Sequence, residues 1–115
     1  MSDAVPGLEV SLSSPTPAAL LAEVHGDLDI ATVPRLHARL ADALGAHRLV
    51  VVDLIGVRFL GAAGITALLR LREQTQGHHG AFRVVAAGSV LRLLSIVDLV
   101  ATLDVHSTQV DALRA

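Results

Sequence analysis

Apolar and polar positions change period several times along this chain, and each change marks an element. Leu8, Val10 and Leu12 alternate with Glu9, Ser11 and Ser13, the two-residue period of a strand with one wet face. A turn is expected at 14–17, where Ser and Thr are interleaved with Pro15 and Pro17. A second strand follows over 19–25, with Leu20, Ala22 and Val24 facing one way and Leu21, Glu23 and His25 the other. The two should pair as an antiparallel hairpin. Thr32 then reads as a helix N-cap ahead of Pro34, which is tolerated in a first turn because its missing N–H has no helical partner there. Val33, Leu36, Leu40 and Leu44 recur at helical spacing, Arg35, Arg39 and Asp42 fall outside that stripe, and Gly45 is expected to close the helix.

The period changes most sharply at Leu49. Leu49, Val50, Val51 and Val52 form a β-prone run too short for a helix and ended by Asp53. Such a run reads as a strand buried on both faces, which implies a parallel or mixed sheet covered by helices. A tight loop through Gly56, Arg58 and Phe59 is expected next, and then a helix opening at Gly61, Ala62, Ala63 and Gly64. In that helix Ile65, Leu68 and Leu69 share a side, Thr66, Arg70 and Glu73 lie elsewhere, and residues 77–80 end it in an exposed loop. Residues 82–86 predict another strand, Ser89 a cap for a third helix with Val90, Leu91, Leu94 and Val97, residues 102–105 a short strand, and Ser107 a cap for a last helix with Val110 and Leu113. The order predicts an α/β fold: an antiparallel hairpin, then alternating helix and strand in a mixed sheet with about four helices.

Length and composition narrow the function classes. At 115 residues the chain is one domain, expected over residues 8–115 after a disordered or extended start at 1–7. It is 52% hydrophobic and 17% charged, so it has a core to bury and is not disordered. A net charge of −2, with nine basic residues scattered along the chain, leaves no electrostatic footprint for nucleic acid. The N-terminus lacks the basic and apolar regions of a secretory signal, and charges break every apolar run well short of a membrane span. A cytoplasmic protein without membrane insertion is expected. Absence of Cys, Trp and Tyr, and of Lys, removes thiol nucleophiles, Schiff-base amines and phenol acids.

Candidate chemistry is sparse. None of His25, His37, His47, His78, His79 and His106 has a partner at zinc-motif spacing, so no metal is expected. Gly56 and Gly61 have the spacing of a phosphate loop, but Ala62 and Ala63 stand where Lys and Ser or Thr must follow. There is no Gly-x-Ser-x-Gly elbow, and Ser13, Ser14, Ser89 and Ser107 read as turn or cap residues. Asp27 and Asp29 precede a helix, where capping and partner contact are equally open. Asp53, at the end of the buried strand, is better placed to bind loop N–H groups than to act as a base. No enzyme is expected, and no cofactor.

Asp53, Leu54, Val57, Phe59, Leu60, Gly61, Ala62, Ala63, Gly64, Ile65 and Leu68 resemble the signature loop and helix of STAS domains. That family comprises bacterial anti-sigma factor antagonists and also the cytoplasmic domains of sulfate transporters. Gly26, Asp27, Leu28, Asp29, Thr32, Val33, Leu36 and Leu40 resemble its other characteristic segment, so the likeness runs from about Leu8 to Leu113. In the antagonists the helix opens with an acid, a phosphorylatable serine, a small residue and a glycine. Gly61, Ala62, Ala63 and Gly64 take those places here, and Ala62 has no hydroxyl to phosphorylate. Thr66, one turn later, offers a hydroxyl from a helix interior, a poor presentation to a kinase. A second departure is Asp98, where the family often has glycine; aspartate tolerates left-handed backbone better than most residues.

The resemblance implies a non-enzymatic regulator docking on an anti-sigma factor of the histidine-kinase-like ATPase class. Asp27, Asp29, Thr32, Arg58, Gly61, Ala62, Ala63, Gly64 and Thr66 would form the partner-binding face. Alternatives are the STAS subunit of an ABC-type lipid transporter bound to the transporter ATPase, a module holding a small anion or nucleotide at the helix start, and a small-residue loop that only lets helix and strand approach. A homodimer is also compatible with it.

Overall fold

A computed structural model describes residues 7–114. Of the expected disordered or extended start, all but Gly7 lies outside the described residues. The elements are β1 (Leu8–Thr16), β2 (Ala19–Leu28), α1 (Val33–Leu40), β3 (Leu49–Leu60), α2 (Ala62–Gly77), β4 (Ala81–Val85), α3 (Gly88–Ile96), β5 (Val105–His106) and α4 (Gln109–Leu113), with a 3-10 turn at Leu44–Ala46. One sheet in the order β1-β2-β3-β4-β5 results. β1 and β2 are antiparallel and every other pair is parallel. The mixed sheet, the hairpin and the four helices are those expected from the hydrophobic pattern.

The two faces of the sheet are covered unequally. Leu20, Ala22, Val24, Val50, Val52 and Val84 turn toward Leu36 and Leu40 of α1, Leu68 and Leu71 of α2, and Val90 and Leu94 of α3 in one large core. On the other face Leu21, Val51 and Val85 form a smaller cluster with Ala112 of α4, with Leu49 and Leu113 packed beside it. Val50, Val51 and Val52 are fully buried, as a strand covered on both faces requires.

Several boundaries differ from expectation, each for a local reason. The first strand runs on through Ser14 and Pro15, and the turn is confined to Pro17 and Ala18. A proline missing its N–H is tolerated there because Pro15 falls in the register shift between Ser13 and Thr16, where it has no paired residue on β2. Residues expected to loop after Asp53 instead continue β3 to Leu60. They pair with an equally prolonged β2, Gly26 against Val57 and Leu28 against Leu60, across two register shifts. β4 pairs with β3 only as far as Asp53, so β2 and β3 project beyond the sheet as a two-stranded extension.

Four capping expectations also change. Thr32 occupies the N-cap of α1 without a side-chain cap bond; Gly45 lies within the 3-10 turn rather than at the end of α1. Ser89 is the second residue of α3, behind an extended Ala87. The cap of α4 is Thr108, whose hydroxyl accepts from Asp111 N, rather than Ser107. The final strand is Val105–His106, because 101–104 form turns with Asp104 at φ 53°. Asp98 does adopt left-handed backbone, φ 61°.

Candidate partner-docking site

The tip of the β2–β3 extension is where the predicted site residues converge. Leu28 ends β2 and its carbonyl accepts from Gly61 N at 3.0 Å, so the end of one strand holds the first residue of the α2 start. Asp29 then turns the chain: its Oδ1 accepts from Ala31 N at 3.0 Å and Thr32 N at 3.1 Å. Thr32 is buried, and its Oγ1 donates to Asp27 O at 2.8 Å while accepting from Asp29 N at 3.0 Å. Asp29 and Thr32 therefore brace the loop into α1. Asp27 faces Arg58 across the extension at 3.7 Å, a pair with the arginine 75% exposed; solvent screens such a contact strongly.

The α2 start divides into buried and open positions. Gly64 is buried, and a Cβ there would lie 2.6 Å from Leu28 O and 2.8 Å from a Leu60 methyl. The absence of a side chain lets helix and strand touch. Ala62 and Thr66 are exposed, and Gly61 and Ala63 half-buried. Gly61 is an extended N-cap with no side chain to offer. A Cβ on it would lie 3.0 Å from the Phe59 ring, so glycine leaves room for that ring across the helix start.

Phe59 was not among the expected site residues, and neither was the groove beside it. Its ring is 54% exposed at one wall of a groove of about 370 Å³ lined by Arg58, Phe59, Leu60, Ser89, Val90 and Leu93. Ile30, two residues past Leu28, is 83% exposed. The signal was available: Phe59 is one of two aromatic residues in the chain. Reading 56–59 as a loop hid the irregularity in β3, where the register skips Arg58 and leaves Arg58 and Phe59 exposed between buried Val57 and Leu60. A large exposed ring flanked by apolar side chains and one cation is the composition of a protein contact surface.

A second cleft, of about 310 Å³, lies on the α4 side among Glu23, His25, Asp53, Ile55 and Gln109. Asp53 Oδ1 accepts from Ile55 N at 2.8 Å, a donor within β3 and not in the loop expected there. The Gln109 amide donates to Asp53 Oδ2 at 2.5 Å and to Glu23 Oε2 at 2.8 Å. These bonds tie α4 to the sheet. Among the described residues no three His, Asp or Glu side chains gather as a metal site, and no helix is long and apolar enough to cross a membrane.

A family model described as "Mlab, STAS domain" matches residues 12–104. The chain belongs to the STAS family. This STAS domain superimposes on an anti-sigma factor antagonist from Mycobacterium paratuberculosis with TM-score 0.83 and 27% identity, over 92% of this chain and 91% of that one. The phosphorylated form of the Bacillus cell fate determinant SpoIIAA gives TM-score 0.71 and 16% identity, over 90% of this chain and 96% of that one. A murine Slc26a9 anion transporter gives 0.73 and 16%, over 87% of this STAS domain but 18% of the transporter. The last two likenesses speak to fold alone. No curated protein matches the chain.

Proposed function

We propose that this STAS domain is a non-enzymatic, cytoplasmic binding regulator of the antagonist type, docking the α2 start and the Phe59 groove on an anti-sigma factor of the histidine-kinase-like ATPase class. The observation that carries this reading is the exposed Ala62 beside an exposed Phe59 and Arg58. A partner presses on such a surface; no nucleophile stands next to a base there. Phosphate on a serine at this position adds about −1.5 to −2 charges to a docking face. With Ala62 that switch is absent, and the domain binds constitutively.

Titration calorimetry with purified ATPases of this class tests the reading. Wild type binds, Mg-ATP leaves its mass unchanged, and Ala62→Asp weakens binding about tenfold or more by placing charge in the contact. Ala62→Ser restores a hydroxyl and gains phosphate from a partner that is a kinase. Wild-type binding that Ala62→Asp leaves unaltered moves the docking surface elsewhere.

A second reading is favoured by the matched family model, whose description is Mlab rather than an antagonist. In it the same face docks on the ATPase of an ABC-type lipid transporter. Side-by-side titration of the two purified ATPase classes decides between the readings.

A further inference from the structure

A sheet of this kind has two edges, and the two are closed by different means. β5 is two residues long and offers almost nothing to an incoming strand. β1 is nine residues long, and a long edge strand is a ready template for another chain. The net charge of −2 gives little repulsion between copies.

The outward groups of β1 follow from its hydrogen bonds. Gly7 O accepts from Asp27 N of β2. Alternation along an antiparallel strand then turns the carbonyls of Glu9, Ser11 and Ser13 toward β2, and those of Leu8, Val10 and Leu12 outward. Two of these outward carbonyls are occupied. Arg35 Nη1 donates to Leu8 O at 3.1 Å, and Arg39 Nη1 donates to Val10 O at 2.9 Å. The match is geometric: four residues of helix rise about 6 Å and two residues of strand about 6.6 Å, so arginines four apart meet alternate carbonyls. Their bonds are charge-assisted, and the guanidinium groups lie where a neighbouring strand would have to run.

We infer that α1 guards the sheet edge: Arg35 and Arg39 occupy the outward carbonyls of β1 and so exclude antiparallel pairing with β1 of a second copy. The excluded partner is this chain itself, because two identical edges related by a two-fold axis near Val10 satisfy each other's outward N–H and C=O groups. This guard is independent of the docking face, which lies at the α2 start.

The test is the double variant Arg35→Ala/Arg39→Ala, read by light-scattering mass over a concentration series and by amide exchange at Val10 and Leu12, whose N–H groups point outward. The double variant rises toward twice the monomer mass, and exchange at those two amides slows by about tenfold or more on association. Wild type shows neither change at β1. Adding Leu12→Pro, which deletes an outward donor and no bond to β2, returns the double variant to monomer. A folded double variant that stays monomeric overturns the inference, as does association that leaves the Val10 and Leu12 amides unprotected or ignores Leu12→Pro. Should the double variant unfold at every concentration, Arg39→Ala alone, which keeps one guanidinium on the edge, is judged on the same two readouts.

Discussion

The starts of α2 and α3 look alike in sequence and are built on opposite principles. Each helix follows a parallel strand of the same sheet and begins among Gly and Ala, and the Phe59 groove lies between the end of β3, which leads into α2, and the first turns of α3. At α2 the small residues serve space. Gly61 N is held by Leu28 O, and Gly64 sits where a Cβ would strike that same carbonyl. At α3 they serve backbone shape. Nothing lies within 4 Å of a Cβ placed on Gly88, yet its φ is +58°, a region that costs other L-residues about 1–2 kcal/mol. One start is packed against the two-stranded extension, whereas at the other the glycine has open space around it.

Substitutions that remove only one of these properties separate the two. Gly64→Ala carries the largest effect, because a methyl 2.6 Å from a backbone carbonyl and 2.8 Å from Leu60 forces α2 off the β2–β3 tip. Overpacking of this kind costs about 3 kcal/mol, read as a lower denaturation midpoint with unchanged slope. Gly88→Ala meets no atoms and costs only the left-handed backbone, about 1–2 kcal/mol. Gly88→Asn recovers most of that loss, since asparagine visits this region readily; the same recovery with Gly64→Asn would contradict the assignment of Gly64 to space.

What was legible in the chain follows the same division. Period alone located the hairpin, the 49–52 run whose Val50, Val51 and Val52 are buried on both faces, and the helix stripes, because burial on a pleated or helical surface leaves its repeat in the residues. The prolonged β2–β3 pairing was not legible. Gly26, at φ +110° inside β2, and two register shifts interrupt the alternation over the residues that form the extension. Reading 56–59 as a loop placed Arg58 near the site and left Phe59 out of it. Capping misled for another reason: Thr32 has the right side chain at the right position, but its hydroxyl is claimed by Asp27 O and Asp29 N, just upstream of the helix. The site residues on the α2 start were read from family likeness, and their split into buried Gly64 and exposed Ala62 required coordinates.

The smallest expected effect on folding is also the one that separates stability from docking. Ala62 is the first residue of α2, exposed, behind a glycine N-cap that supplies no side-chain acceptor, and the first turn carries no acid. Its free N–H groups and the positive end of the helix dipole favour a carboxylate there by about 0.3–1 kcal/mol. Ala62→Asp is therefore slightly more stable than wild type in urea, with the gain shrinking as salt screens the dipole. Binding to the ATPase moves the other way under the proposed function. Opposite signs in two titrations of one variant would leave Ala62 with no structural duty at the helix start, whereas a loss in both would make it part of the packed wall and return the α2 start to a purely structural contact.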